Sequence, residues 1–286
     1  MKASAAIAQA QAQAQALAGG LQGILLDARR LASAHPGAHG RRMAGPGSAF
    51  WQYRDHRPED GARAVDWRRS ARAERLFVRE REWEAAQTAW LWLDPGPGLQ
   101  SGEAENRPSK HHRALTLLLA LTLLALRSGE RVGALGRTGP LRGPQAAEQL
   151  GRALLANPPS PDSPPGHSSL LVLASDFYAP IPQWEGRLRA LSTHARGGVL
   201  LMIADPAEED FPFEGRVLFR EPGTRQESLL GRAQDVRQVY QKRLAAHRAQ
   251  LQALAQRFGF VLVRNRTDQA AALALGAMVT GLERRH

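Results

Sequence analysis

Acidic side chains that follow apolar segments are the residues of this chain best placed to do chemistry. Asp94 follows the segment Trp90-Leu91-Trp92-Leu93 and precedes a Pro-Gly-Pro-Gly loop. Asp176 and Asp205 each follow another apolar segment, within 168–177 and 197–206. In a parallel sheet covered by helices, ligands bind beyond the carboxyl ends of strands, near a change in strand order. The three carboxylates are therefore predicted to lie where such a fold places its site.

Other side chains that could act in catalysis lack a suitable setting. The chain has no cysteine, which excludes thiol nucleophiles and thiolate metal sites. Ser169 and Ser175 are not in a nucleophile elbow, and the glycines of 45–50 have neither a preceding strand nor a lysine, as a phosphate loop requires. His111 and His112 are adjacent, so their side chains diverge on a helix. The sequence gives no coherent catalytic constellation, and we predict no cofactor beyond weakly bound Mg²⁺.

The segments that position these acids are predicted to be strands that alternate with helices from residue 90 onward. Strands are predicted at 90–93, 131–136, 168–177, 197–206, near 215–219 and at 259–264, and helices at 110–128, 143–157, 182–195, 232–257 and 268–283. The strands lack polar alternation, which is typical of a parallel sheet buried on both faces. The sequence therefore predicts an α/β, doubly wound, mainly parallel sheet with helices on both faces.

Three parts are predicted along the chain. Residues 1–36 form an Ala- and Gln-rich extension that we expect to be helical, residues 37–88 an Arg- and Trp-rich segment of irregular or β structure, and residues 89–286 the α/β domain. The chain has 286 residues and 43% hydrophobic content, enough for a sizeable core.

The charge balance bears on partners and on location. The net charge is +11, which favours a polyanion partner, but no block of Lys or Arg exceeds two residues and acids are interleaved. We therefore expect no nucleic acid partner.

The apolar segment 114–126 is too short to span a bilayer and is predicted to be a buried helix. The N-terminus is unlike a signal peptide because Gln interrupts it at every second position. We expect a cytoplasmic protein with no membrane span.

Residues 45–84, GPGSAFWQYRDHRPEDGARAVDWRRSARAERLFVREREWE, carry a family resemblance. This segment resembles the characteristic segment of the bacterial domain-of-unknown-function family 58 (DUF58), and the resemblance extends over roughly residues 40–286. It implies a von Willebrand factor A-like domain and partnership with MoxR-type AAA+ ATPases. The residues that match its motif, and that it implies for interaction or structure, are Arg54, Asp60, Arg63, Asp66, Trp67 and Arg72.

The chain departs from this family at the predicted site. The family's Gly-Asp-Asp turn is replaced by Glu59-Asp60-Gly61, and its Asp-x-Ser-x-Ser motif by residues 94–98, Asp-Pro-Gly-Pro-Gly. In von Willebrand A domains that motif, with a Thr and a second Asp, forms a metal-ion-dependent adhesion site. Asp94 and Asp176 then remain as a degenerate metal site that binds Mg²⁺ weakly or not at all, since Mg²⁺ needs several oxygen ligands. Alternatively, Asp94 caps its own turn through backbone N–H groups.

The lack of a catalytic constellation favours a non-enzymatic protein-interaction module, and the resemblance implies that it is an adaptor or chaperone-like partner of a MoxR-type ATPase. Two alternatives stay open: a metal-dependent hydrolase that uses Asp94 and Asp176, and an Arg-driven polyanion binder. The segment 50–84 is either a docking face or an internally packed unit. In both cases we expect Asp66 and Trp67 to be buried in a hydrogen-bonded corner.

Overall fold

The computed structural model describes residues 27–32, 50–55, 65–72, 75–81, 88–100, 107–137, 139–156 and 169–283. The chain divides into two compact units. One consists of His39–Ala86, and the other combines Met1–Ala38 with Gln87–His286. The smaller unit holds a strand pair and a one-turn helix, whereas the larger unit holds the main sheet and its helices.

The smaller unit is built on an antiparallel pair of strands, β1 (Phe50–Asp55) and β2 (Phe77–Arg81), with α2 (Trp67–Ser70) between them in sequence. Asp66 caps α2 by accepting a hydrogen bond from the backbone N–H of Arg69 at 3.1 Å. The hydroxyl of Ser70 donates to the carbonyl of Asp66 and accepts from the backbone N–H of Phe77. The predicted hydrogen-bonded corner is present.

The predicted burial of Asp66 and Trp67 is wrong, because Asp66 is only partly buried and 60% of Trp67 is exposed. The cap at Asp66 makes Trp67 the first residue of the one-turn helix. The buried positions of this corner are taken instead by Val65 and Ser70, on either side of it. An indole next to a capping acid thus lies on the surface.

The larger unit contains a five-stranded sheet in which every neighbouring pair is parallel. In spatial order its strands are β4 (Arg131–Ala134), β3 (Thr88–Leu93), β5 (Ser169–Ser175), β6 (Ala195–Ala204) and β9 (Phe260–Arg266). The strand order reverses between β3 and β5, which makes the sheet doubly wound, as predicted.

Helices cover both faces of this sheet. The helices of the larger unit are α1 (27–32), α3 (Pro97–Gln100), α4 (Lys110–Arg127), α5 (Ala146–Leu155), α6 (Ile181–Ser192), α7 (Pro206–Asp210), α8 (Arg237–Arg257) and α9 (Ala271–Glu283). Buried residues of α1, α4, α5 and α9 form one hydrophobic cluster with the sheet, and those of α6 and α8 form a second.

Strand β5 shows why the strands lack polar alternation. Leu170 and Val172 belong to the first cluster, whereas Leu171 and Leu173 belong to the second, so every residue of the strand is buried. Helix α4 is core, as predicted, and its Leu119 is fully buried. No helix within the described ranges is long and apolar enough to cross a membrane.

The region after β6 differs most from the sequence prediction. The short α7 follows at once, and then a hairpin of β7 (Val217–Arg220) and β8 (Glu227–Leu230). Only the first of these two strands was predicted. A 3-10 turn at Ala233–Val236 precedes α8, which therefore begins at Arg237 rather than at 232. Of the N-terminal helix predicted within 1–36, only 27–32 lies in the described residues, and it is helical.

Candidate functional site

The reversal in strand order brings Asp94 and Asp176 to neighbouring strand ends. Asp94 follows β3, and its backbone N–H donates to the carbonyl of Ala174 in β5 at 2.9 Å. Asp176 follows the last residue of β5. Since ligands of doubly wound sheets bind at this point of the topology, the two acids lie where the sequence placed the candidate site.

Both carboxylate oxygens of Asp94 accept hydrogen bonds from nearby residues. Oδ1 accepts from the backbone N–H of Gly96 at 2.8 Å, and Oδ2 accepts from the hydroxyl of Ser175 at 2.5 Å. Ser175 is itself fully buried and accepts from the backbone N–H of Phe177 at 3.1 Å. Asp94 therefore caps its own turn and fastens it to β5.

Two glycines of the loop after β3, Gly96 and Gly98, face the acids closely. A Cβ atom at Gly96 would lie 2.9 Å from Oδ1 of Asp94, and one at Gly98 would lie 2.2 Å from Oδ2 of Asp176. Real Cβ atoms do not approach another atom to 2.2 Å. The carboxylate of Asp176 thus fills the space that a side chain at position 98 would occupy.

Lys110 supplies a buried positive charge at this site. It is the first residue of α4 and its side chain has no solvent exposure. Its ammonium group donates a hydrogen bond to Oε1 of Glu208, lies 3.7 Å from Oδ2 of Asp176, and is 5.6 Å from the ring centroid of Tyr178. A lysine is almost never fully buried unless it is paired, and here two carboxylates pair with it.

Glu208 is held in place by α7. This helix begins with a capping box, in which Oδ1 of Asp205 accepts from the N–H of Ala207 and Oε2 of Glu208 accepts from the N–H of Asp205 at 3.0 Å. The hydroxyl of Tyr178 donates to the same Oε2 at 3.4 Å. Burial, and then the nearby Glu208 carboxylate, raise the pKa of Tyr178 well above its ordinary value, so its hydroxyl remains a donor.

The residues present do not fit the Mg²⁺ ion of an adhesion-type site. Mg²⁺ requires octahedral coordination by oxygen atoms, but Gly96 and Gly98 offer no side-chain oxygen and Asp94 is committed to its turn. Asp176 faces an ammonium group. No group of three or more His, Asp or Glu side chains in the described residues could hold a metal ion. Asp94 and Asp176 as metal ligands stay a prediction from the sequence.

The remaining predicted residues are spread over other parts of the chain. Asp205 is buried as the cap of α7, with Oδ2 at 3.8 Å from the guanidinium of Arg107. In the smaller unit, Arg54 lies in β1, Asp66 caps α2, and Trp67 and Arg72 are exposed. The motif residues Asp60 and Arg63 lie outside the described residues.

Lys110 and Glu208 are site residues that the sequence did not predict. A single lysine at the start of a helix is expected to be exposed, and Glu208, the partner of Lys110, is 98 positions away. The available signal was the pattern Asp205-Pro206-Ala207-Glu208, an acidic cap followed three residues later by Glu. That pattern predicts a helix directly after β6, and hence a carboxylate near the strand ends.

Fold and site together define a doubly wound α/β protein in which an internal lysine pairs with the strand-end acid Asp176 and with Glu208 of α7. The chain belongs to the family described as "Protein of unknown function DUF58", whose profile matches residues 52–250. It is 29% identical over 257 residues to the uncharacterized protein Mb1516 of Mycobacterium bovis and to the uncharacterized proteins MT1527 and Rv1480 of Mycobacterium tuberculosis. Each match covers 82% of this chain and 79% of the relative. No solved structure matches the chain.

Proposed function

We propose that the chain is a non-enzymatic, von Willebrand A-like interaction module of the cytoplasm that serves as an adaptor or chaperone-like partner of a MoxR-type AAA+ ATPase. The partner follows from the family resemblance. The observation that carries the non-enzymatic part is Lys110, whose buried ammonium occupies the carboxylates of Asp176 and Glu208. Carboxylates that are held together by an ammonium group of the same chain have no need of a bridging metal to keep their positions.

The polar groups around the strand ends are engaged in structure. Asp94 holds its turn, Ser175 links Asp94 to Phe177, and Tyr178 remains protonated beside Glu208. General acid–base and nucleophilic catalysis need a group that is able to exchange protons or attack a substrate. The arrangement supports a rigid surface rather than a reaction centre.

The adaptor proposal is tested with the full chain and a MoxR-type ATPase encoded in the same genome. Binding is measured by calorimetry after the chain has been treated with EDTA and desalted. We expect binding that is unaffected by this treatment. Failure to bind would contradict the adaptor role, and binding that is lost after EDTA and restored by added Mg²⁺ would show that a metal is required.

A metal-dependent hydrolase is the second candidate, because Asp94 and Asp176 do lie at neighbouring strand ends. It predicts turnover of phosphoesters or nucleotides by the purified chain with Mg²⁺ or Mn²⁺, lost in Asp176→Ala. We expect no such turnover, since Asp176 is already paired with Lys110. Reproducible activity with that dependence on Asp176 would overturn the non-enzymatic proposal.

The positive charge of the chain supports a third candidate, a polyanion binder. Several of its arginines are neutralised within the chain, such as Arg248 by Glu209 and Arg266 by Asp210 and Asp268. We therefore propose no nucleic acid partner. Binding of duplex DNA that falls steeply with rising salt would support the polyanion candidate instead.

A further inference from the structure

A groove lies between the β7–β8 hairpin, α7 and the start of α8. Its volume is about 520 Å³, and its apolar lining residues are Phe211, Phe213, Phe219, Leu230, Val236 and Val239. Ligand sites in proteins are typically concave, largely apolar and of this size. Asp94 and Asp176 do not line the groove, although Glu208, which shares Lys110 with Asp176, does.

The floor of the groove is an aromatic cluster that is already assembled. The ring centroid of Phe211 lies 5.2 Å from that of Phe213, 5.6 Å from that of Phe219 and 4.8 Å from that of Tyr240. Phe211 ends α7 in the left-handed conformation, with φ of 48°. A bulky residue rarely adopts this conformation, and the packing of the rings holds it there. The rings of the floor are therefore packed together in the absence of a ligand.

One wall is formed by a single face of α8. Val239, Tyr240 and Arg243 follow the spacing of one helix face, and all three line the groove together with Val236 of the preceding 3-10 turn. Val239 is 53% exposed, although it is an apolar residue on a helix packed on a sheet. Arg243 is also exposed. This face thus presents an apolar side chain and a cation together.

The rim of the groove carries positive charge that is not neutralised locally. The arginines of the hairpin and turn are paired, Arg220 with Glu227 and Arg232 with Asp235. Arg243, which lines the groove and is exposed, has no acidic partner among the described residues. Glu208 also lines the groove, but its carboxylate binds Lys110.

We propose that this groove binds an acidic amphipathic peptide segment of a protein partner, an inference that rests on the proposed interaction role. Apolar side chains of the segment enter the aromatic pocket, and a flanking carboxylate pairs with Arg243. Charge complementarity of this kind steers and orients association, whereas burial of the apolar anchors supplies affinity.

A membrane surface with anionic lipids carries negative charge, as an acidic peptide does, but the shape of the groove favours a peptide. The apolar side chains line a recess instead of projecting outward. The exposed pair Leu218 and Leu229 lies on the other face of the hairpin, because side chains alternate along each strand and Phe219 and Leu230 face the groove. A flat bilayer cannot cover both faces of the hairpin at once.

The experiment selects short random peptides displayed on phage against the immobilised full chain. A fluorescent copy of the most enriched peptide is then titrated with the wild type and with Val239→Glu, Arg243→Glu and Leu273→Glu. Leu273 is the matched control, an exposed leucine on α9 outside the groove. All three changes are at exposed positions, and circular dichroism and melting temperature confirm the fold of each variant.

The enriched peptides are expected to combine acidic and apolar residues. Val239→Glu and Arg243→Glu are each expected to weaken binding by about tenfold or more, whereas Leu273→Glu leaves it unchanged. The proposal is overturned if no peptide is enriched, if the enriched peptides are basic, or if Val239→Glu binds like the wild type. It is also overturned if vesicles of phosphatidylcholine and phosphatidylserine bind the wild type but not Val239→Glu.

These outcomes are distinct from failure of the adaptor role. If the MoxR-type ATPase binds the wild type and Val239→Glu equally and no peptide is enriched, the groove proposal fails and the adaptor role stands. If acidic peptides bind through Val239 but the ATPase does not bind at all, the groove proposal stands and a different partner must be found.

Discussion

Replacement of Lys110 by methionine removes the buried ammonium but keeps a flexible side chain of similar length. Removing one partner of a buried ion pair costs about 3–5 kcal/mol, because the remaining charge is left unpaired. Here the side chains of Asp176 and Glu208 retain 14% and 26% exposure, so water partly solvates them. We therefore expect the free energy of unfolding to fall by about 2–3 kcal/mol, below the usual range.

Urea unfolding of the full chain measures this change. Lys242→Met is the matched control, because Lys242 is exposed and should change stability by no more than about 0.5 kcal/mol. Adding Glu208→Gln to Lys110→Met should recover part of the loss, since the two groups interact directly. The reasoning is wrong if Lys110→Met unfolds within about 1 kcal/mol of the wild type.

The Lys110→Met variant also tests whether the ammonium group of Lys110 occupies a position that a divalent cation could fill. Without Lys110, the carboxylates of Asp176 and Glu208 are available to a cation, which stabilises the folded state by mass action. Mn²⁺ should therefore raise the urea midpoint of Lys110→Met and leave that of the wild type unchanged. An equal rise in both proteins would show that the metal binds elsewhere or alongside the lysine.

Three further changes test the core, the pH response and the glycine loop. Leu119→Asp should abolish soluble expression, because an unpaired charge would enter the core, whereas Leu273→Asp, at a 75% exposed position, should express normally; equal solubility would contradict this. Burial, followed by its histidine neighbour, lowers the pKa of His111, so the unfolded chain binds the proton first and stability falls as the pH drops below about 6.5. His111→Gln should flatten that part of the urea-midpoint profile, and an unchanged slope would refute the assignment. Gly98→Ser should lower the melting temperature, because its Cβ displaces a carboxylate, whereas Gly186→Ser, where space is open, should not; the reverse order would be incompatible with the described loop.

The parts of the fold that sequence could predict are those with a local signal. Continuous apolar segments marked β3, β5 and β6, and an acid after each marked its carboxyl end. Parallel strands in a doubly wound order then bring Asp94 and Asp176 together, because their strands are neighbours. The prediction needed only periodicity and the known position of sites in such sheets.

The parts that could not be predicted depend on contacts between distant residues. The burial of Lys110 depends on its pairing with Glu208. Glu208 lies on α7, a five-residue helix that is too short to show a hydrophobic periodicity in the sequence. Strand β8 has no buried residue and is formed by pairing with β7. Trp67 was expected inside because it is aromatic, but the position of the helix cap decided its exposure.

The position of β9 at the edge of the sheet has consequences for synthesis of the chain and for truncated fragments of it. Residues Phe260–Arg266 pair with β6, whose last eight residues are all buried, so this strand completes the sheet from near the end of the chain. During synthesis, at about 5–20 residues per second, β6 leaves the ribosome with an open apolar edge for a few seconds before β9 follows. Such an edge is a template for pairing with other chains. The family match ends at residue 250, inside α8, and a fragment cut there would keep that edge permanently.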